Sequence, residues 1–166
     1  MQRIMSRLTR PASHHRDGSA AVEFALVAPL FIALFMGAIQ SGFNFDSTTK
    51  LYSAIRQSGR LATLDNAADY VPSGQTLNSK VITDIKNALT AEGMPGSALT
   101  VTITHAEGGS AGTTFDLSSV STDLKYFKIT VTVPYSAVNT GSFLPNNRAN
   151  LTASVVFRKG ATSLIQ

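Results

Sequence analysis

Glu23 is an acid inside an otherwise uncharged apolar run, Ser19 to Ile39, and it follows Gly18 by five residues. A carboxylate in bilayer hydrocarbon costs roughly 2.5–3.5 kcal/mol on insertion scales, so an acid there needs a cationic partner or a route back to water. The chemistry such a residue offers is ion pairing in a membrane rather than bond making at a catalytic centre.

Other reactive side chains are poorly placed for catalysis. His14 and His15 precede the run and His105 stands alone, so no ligand cluster has zinc-site spacing. Asp116 and Asp123 are seven apart across a loop and read as solvated or turn-forming. Serines are numerous but none lies in a G-x-S-x-G elbow. Gly108-Gly109 and Gly112 are not followed by a Walker lysine. Asn150-Leu151-Thr152 matches a glycosylation acceptor, a tripeptide common by chance. No catalytic residue, cofactor or metal is expected, and the chain does not read as an enzyme.

The element that must position Glu23 is a helix. The run has 21 residues. At about 1.5 Å per residue it reaches roughly 30 Å, the thickness of bilayer hydrocarbon. Arg3, Arg7, Arg10 and Arg16 lie upstream with Asp17, whereas Gln40 to Thr49 carries no basic residue. This asymmetry places residues 1–17 in the cytoplasm and the chain after about residue 40 outside it.

Three kinds of N-terminus share parts of this pattern. A cleaved secretory signal needs a shorter core of about 7–15 residues followed by a small-x-small site. A plain uncut anchor needs only that Glu23 lie near the boundary with its head reaching water. A prepilin-type leader is removed ahead of the apolar segment, so the helix stays on the mature protein.

Gly18-Ser19-Ala20-Ala21-Val22-Glu23-Phe24-Ala25-Leu26-Val27-Ala28-Pro29-Leu30, followed by Gly37-Ala38-Ile39-Gln40-Ser41-Gly42, resembles the N-terminal signature of TadE-like minor pilins, or pseudopilins, of the bacterial tight-adherence (Tad) pilus system. The similarity covers roughly residues 16–60. It implies that a prepilin peptidase cuts between Gly18 and Ser19 and that Glu23 serves processing or assembly. It also implies other pilin-like subunits and pilus assembly machinery as partners. Cutting after Gly18 would expose an α-amino group at Ser19, and a neighbouring subunit's Glu23 could be neutralised by it in a staggered helix bundle. Gln40 departs from the family, which often carries an acid there.

Pro29 removes the N–H that would bond the Ala25 carbonyl, allowing a kink or local melting used when a subunit leaves the bilayer, or a harmless bend. Ala21/Ala25 and Ala33/Gly37 have small-xxx-small spacing, which permits close helix contact.

The 166 residues leave enough chain beyond the span for one modest domain, and zero Cys excludes a disulfide framework or thiolate site. The formal charge is +4, of which the leader's four Arg and Asp17 supply +3 (4 − 1). With about +1 left over the remaining chain there is no basic stripe for nucleic acid.

Beyond the span, Leu51, Ala54, Ile55, Leu61, Ala62 and Leu64 recur at helical spacing over Thr48 to Leu64, although Gly42 and Gly59 weaken the pattern. Residues 65–76 are rich in turn formers. A second helix is expected from about Ser79 to Ala91, capped by Asn78 or Ser79 and ended by Gly93 and Pro95. Period-two alternation then predicts strands over 99–104, 127–133 and 151–157, the second stopped by Pro134. The stretches 107–122 and 136–150 read as long exposed loops.

The expected architecture is α+β and pilin-like. A long N-terminal transmembrane helix continues into a soluble head with a second helix and a small antiparallel sheet of about three strands. Its parts are a basic leader (1–18), the transmembrane helix (19–41) and an extracytoplasmic α+β domain (42–166). The protein would sit as a single-pass subunit in the bacterial inner membrane, or in an extracellular pilus after incorporation. The alternative is an uncleaved, membrane-anchored extracytoplasmic binding module.

Overall fold

A computed structural model describes residues 17–138 and 150–161. Residues 1–16 of the expected leader (1–18), with their arginines and His14 and His15, and most of the expected loop 136–150 lie outside the described residues. The chain divides into two compact units, Met1–Ile39 and Gln40–Gln166.

Helix α1 runs Asp17–Gly59 and includes Pro29, across which it continues. Its residues in the C-terminal unit are amphipathic: Ser47, Leu51, Ala54, Ile55 and Ser58 are buried, three or four apart or adjacent, and Tyr52, Ser53, Arg56 and Gln57 are exposed. The helix was expected to reach Leu64. It stops at Gly59, where an added Cβ would sit 2.5 Å from Cζ of Phe157, and a short 3-10 turn, Leu61–Thr63, follows. Ala62 is buried there, but Leu64 is 48% exposed and does not join the core.

The turn-rich segment 65–76 contains a 3-10 turn, Ala67–Tyr70, entered through Asn66 at φ 54°. It is tied to the far end of the chain, because Ala161 N–H donates to Asp65 Oδ1 at 2.8 Å and Asn66 N–H to the Ala161 carbonyl at 3.1 Å.

Helix α2 spans Leu77–Ala91 and begins earlier than its periodicity suggests. Thr76, not Asn78 or Ser79, is the N-cap. Its hydroxyl accepts from Ser79 N–H at 3.1 Å and its own N–H donates to Ser79 Oγ at 3.0 Å, a reciprocal capping box. The correction has a physical cause: Leu77 is buried, so the first turn belongs to the apolar face. At the other end Gly93, at φ 84°, lets Met94 N–H reach the Leu89 carbonyl at 2.9 Å.

The sheet is antiparallel in the order β1 (Thr100–His105), β2 (Tyr126–Pro134), β3 (Asn150–Arg158). Ile103 pairs with Ile129 and Ile129 with Val155, so apolar residues of all three strands share one face. On central β2 that face is Phe127, Ile129, Val131 and Val133, all fully buried, and α1 and α2 supply Leu51, Ile55, Val81, Ile85 and Leu89 to the same core. The opposite face carries threonines, with Thr132 and Thr152 hydroxyls 3.3 Å apart. A short helix, α3 (Tyr135–Val138), follows β2.

The stretch 107–122 is not simply an exposed loop. Phe115 and Leu117 are buried, and Phe115 N–H donates to the Ile103 carbonyl at 3.0 Å while His105 N–H donates to Thr113 at 2.9 Å. The segment therefore folds back along β1 and points two side chains, two residues apart, into the core. Asn78 fastens it: its Nδ2 donates to the Phe115 carbonyl at 2.7 Å and its Oδ1 accepts from Leu117 N–H at 2.8 Å.

Candidate functional site

Within the N-terminal unit, Ala, Leu and Met favour the helical state, and the apolar side chains leave an unusual surface. Phe24 is 73% and Leu26 76% exposed, and Val22, Leu30, Phe31, Ile32, Leu34 and Phe35 are exposed as well. Apolar side chains thus point in every direction from the axis. None of the most apolar stretch is buried, and α1 is long and apolar enough to cross a membrane. A helix that is hydrophobic all round is stable only in lipid or among other apolar helices.

Gly18, Ser19 and Glu23 all lie in the first two turns of α1, and each is exposed. Ser19 and Glu23 are one helical turn apart, and the Ser19 hydroxyl donates to Glu23 Oε1 at 3.3 Å. The residue that would carry a new amino group after cleavage is therefore the one whose side chain already meets the acid. A Cβ added at Gly18 would meet nothing within 4 Å, so its smallness is not required by packing within the described residues. The first N–H groups of a helix have no carbonyl one turn back, so opening the chain at this end breaks few internal bonds.

Pro29 is exposed on the same helix. Its missing N–H leaves the Ala25 carbonyl without its usual helical donor.

In the C-terminal unit, His105 packs edge-on against Phe115 with ring centroids 4.6 Å apart. His105, Glu107 and Ser110 border one shallow recess, but among the described residues no hydrogen bond joins their side chains. Asp116 Oδ1 accepts from Ser118 N–H at 2.8 Å, the turn role expected of it. Asp123 instead meets Lys159, whose Nζ lies 2.6 Å from its Oδ1. Sequence reasoning missed this pair because the partners are 36 residues apart and Lys159 lies just past the alternating strand. Among the described residues no group of three His, Cys, Asp or Glu side chains could hold a metal ion.

Residues 18–60 match the family model described as TadE-like protein, a match running from the first turn of α1 to just past its end. Comparison with curated proteins and with solved structures gave no match.

Proposed function

We propose that this chain is a minor pilin or pseudopilin of a Tad-type pilus, stored in the membrane by α1 and released for assembly after removal of its basic leader. The family match associates the chain with that system and coincides with the helix that carries Gly18, Ser19 and Glu23. The cut falls between Gly18 and Ser19, made by a prepilin peptidase at the cytoplasmic face. The freed ammonium of Ser19 then neutralises the Glu23 carboxylate of a neighbouring subunit, and the pairing sets the axial stagger between helices. Apolar surface leaving lipid must be covered again, at about 25 cal/mol for every Å², and helices of other pilin-like subunits supply the cover. The C-terminal unit faces the extracytoplasmic side, a reading supported by the excess of arginines ahead of the apolar run.

The observation that carries this reading is the acid one turn from Ser19 on an exposed, otherwise apolar helix. Intact-mass analysis of protein taken from its native membrane tests it. A chain beginning at Ser19 is expected, and a chain that always retains Arg3 to Gly18 overturns the proposal in favour of an uncut anchor.

A further inference from the structure

Among the described residues the order β1-β2-β3 leaves both outer strands with one neighbouring strand. Half of the N–H and C=O groups of such a strand point away from its partner. On β1 these groups are engaged at Ile103 and His105 by the returning segment 113–115. On β3 no backbone hydrogen bond among the described residues uses the outward side of Asn150–Arg158. Its sequence, NLTASVVFR, has neither the proline nor the lysine with which proteins commonly protect an edge.

A groove of about 600 Å³ meets β3 at Phe157, near the strand's end, and is lined on its other side by Tyr52, Ser53, Arg56 and Gln57 of α1 and by Arg60 just past the helix. No acid borders the groove, and among the described residues neither Arg56 nor Arg60 takes part in an ion pair. Two guanidinium groups without an ion pair among the described residues thus stand beside the rings of Tyr52 and Phe157, at the end of a strand whose outward backbone groups have no partner among the described residues. Arg56 lies in the last turn of α1 and Arg60 just past its end, and both border the same groove.

We propose that this groove binds an extended, acidic segment of a partner polypeptide, which adds to β3 as a further strand and pairs its carboxylates with Arg56 and Arg60. Main-chain hydrogen bonds to the β3 edge hold the segment, and the bidentate guanidinium contacts select acids. A lipid phosphate would satisfy the arginines but leave the strand edge unused, so the geometry favours a peptide. The site lies within the C-terminal unit and does not depend on whether the leader is removed.

The test uses the full-length protein in detergent micelles and a fluorescent peptide of about ten residues alternating Val or Thr with Glu, together with its Gln counterpart. The acidic peptide is expected to bind and to slow amide exchange along β3. Binding is expected to weaken about tenfold for the Gln peptide and for the Arg56→Glu/Arg60→Glu variant. Should charge reversal lower the melting temperature, Arg56→Gln/Arg60→Gln carries the same comparison. The proposal is overturned if the acidic peptide fails to bind, if it binds the variants equally well, or if exchange slows elsewhere but not on β3. Arginine-dependent binding to phosphatidylglycerol vesicles without peptide binding would assign the groove to lipid headgroups instead.

Discussion

The ammonium of Lys159, only 4% exposed, lies 2.6 Å from Asp123 Oδ1, whose side chain is 17% exposed. Its remaining donors reach the Ser119 carbonyl at 2.6 Å and Thr122 Oγ1 at 3.3 Å. One lysine thereby fastens the turn around residues 119–123 to the end of β3. Removing either partner leaves a charge with less compensation, and the more deeply buried charge suffers more. Asp123→Ala is expected to cost about 3 kcal/mol and Lys159→Ala less, since the Asp123 carboxylate reaches water with a small movement. Circular dichroism melting of the two variants checks the order; a more damaging Lys159→Ala would contradict it.

Asn78 bonds with both its amide oxygen and its amide nitrogen to the segment that carries Phe115 and Leu117. Asn78→Ala frees a carbonyl and an N–H beside buried side chains and should destabilise the C-terminal unit by about 1–3 kcal/mol. Thr76→Ala, which removes only the hydroxyl half of the cap, should cost about 1 kcal/mol. Urea denaturation distinguishes them, and equal stability of Asn78→Ala and the parent protein would show that the clamp contributes nothing.

Gly18 has open space where a side chain would go. Gly18→Val should therefore leave the folding stability within about 0.5 kcal/mol of the parent's while blocking cleavage. Mass spectrometry of membranes expressing it is expected to show the leader retained. Normal trimming of the variant would remove Gly18 from any part in processing.

Glu23→Gln keeps a group able to bond the Ser19 hydroxyl and removes only the charge. Incorporation into pili or their assembly complexes is expected to fall about tenfold, the effect of losing roughly 1.4 kcal/mol of pairing. Recovery of Glu23→Gln in assembled material at the parent's level would rule out the ammonium–carboxylate pairing.

Much of this architecture was readable from periodicity. The alternation Phe127, Ile129, Val131, Val133 put β2 in place and its face toward the core, because a strand's side chains have no other choice once one face is dry. The apolar run announced α1, and Gly93 announced the end of α2. Local signals failed where distant contacts decide. Leu64 fits the helical spacing of Leu61, but α1 ends at Gly59, a weak point in the pattern, and only a 3-10 turn follows; what the sequence hides is that Phe157, 98 residues later (157 − 59), packs against that glycine. Phe115 and Leu117 were hidden among glycines and serines, where only their two-residue spacing hinted at a buried return along β1. At Gly18 and Glu23 the sequence supplied the candidates, and the helix adds the detail that Ser19 already faces the acid.

Leu51, Ala54 and Ile55 belong to the same continuous helix as the lipid-compatible run, and all three lie in the core of the C-terminal unit. Any axial load that the α1 backbone carries into the C-terminal unit therefore meets that packed interior first. Resistance of such a subunit to being pulled apart is then governed by how tightly those three side chains are gripped by the strands and second helix around them.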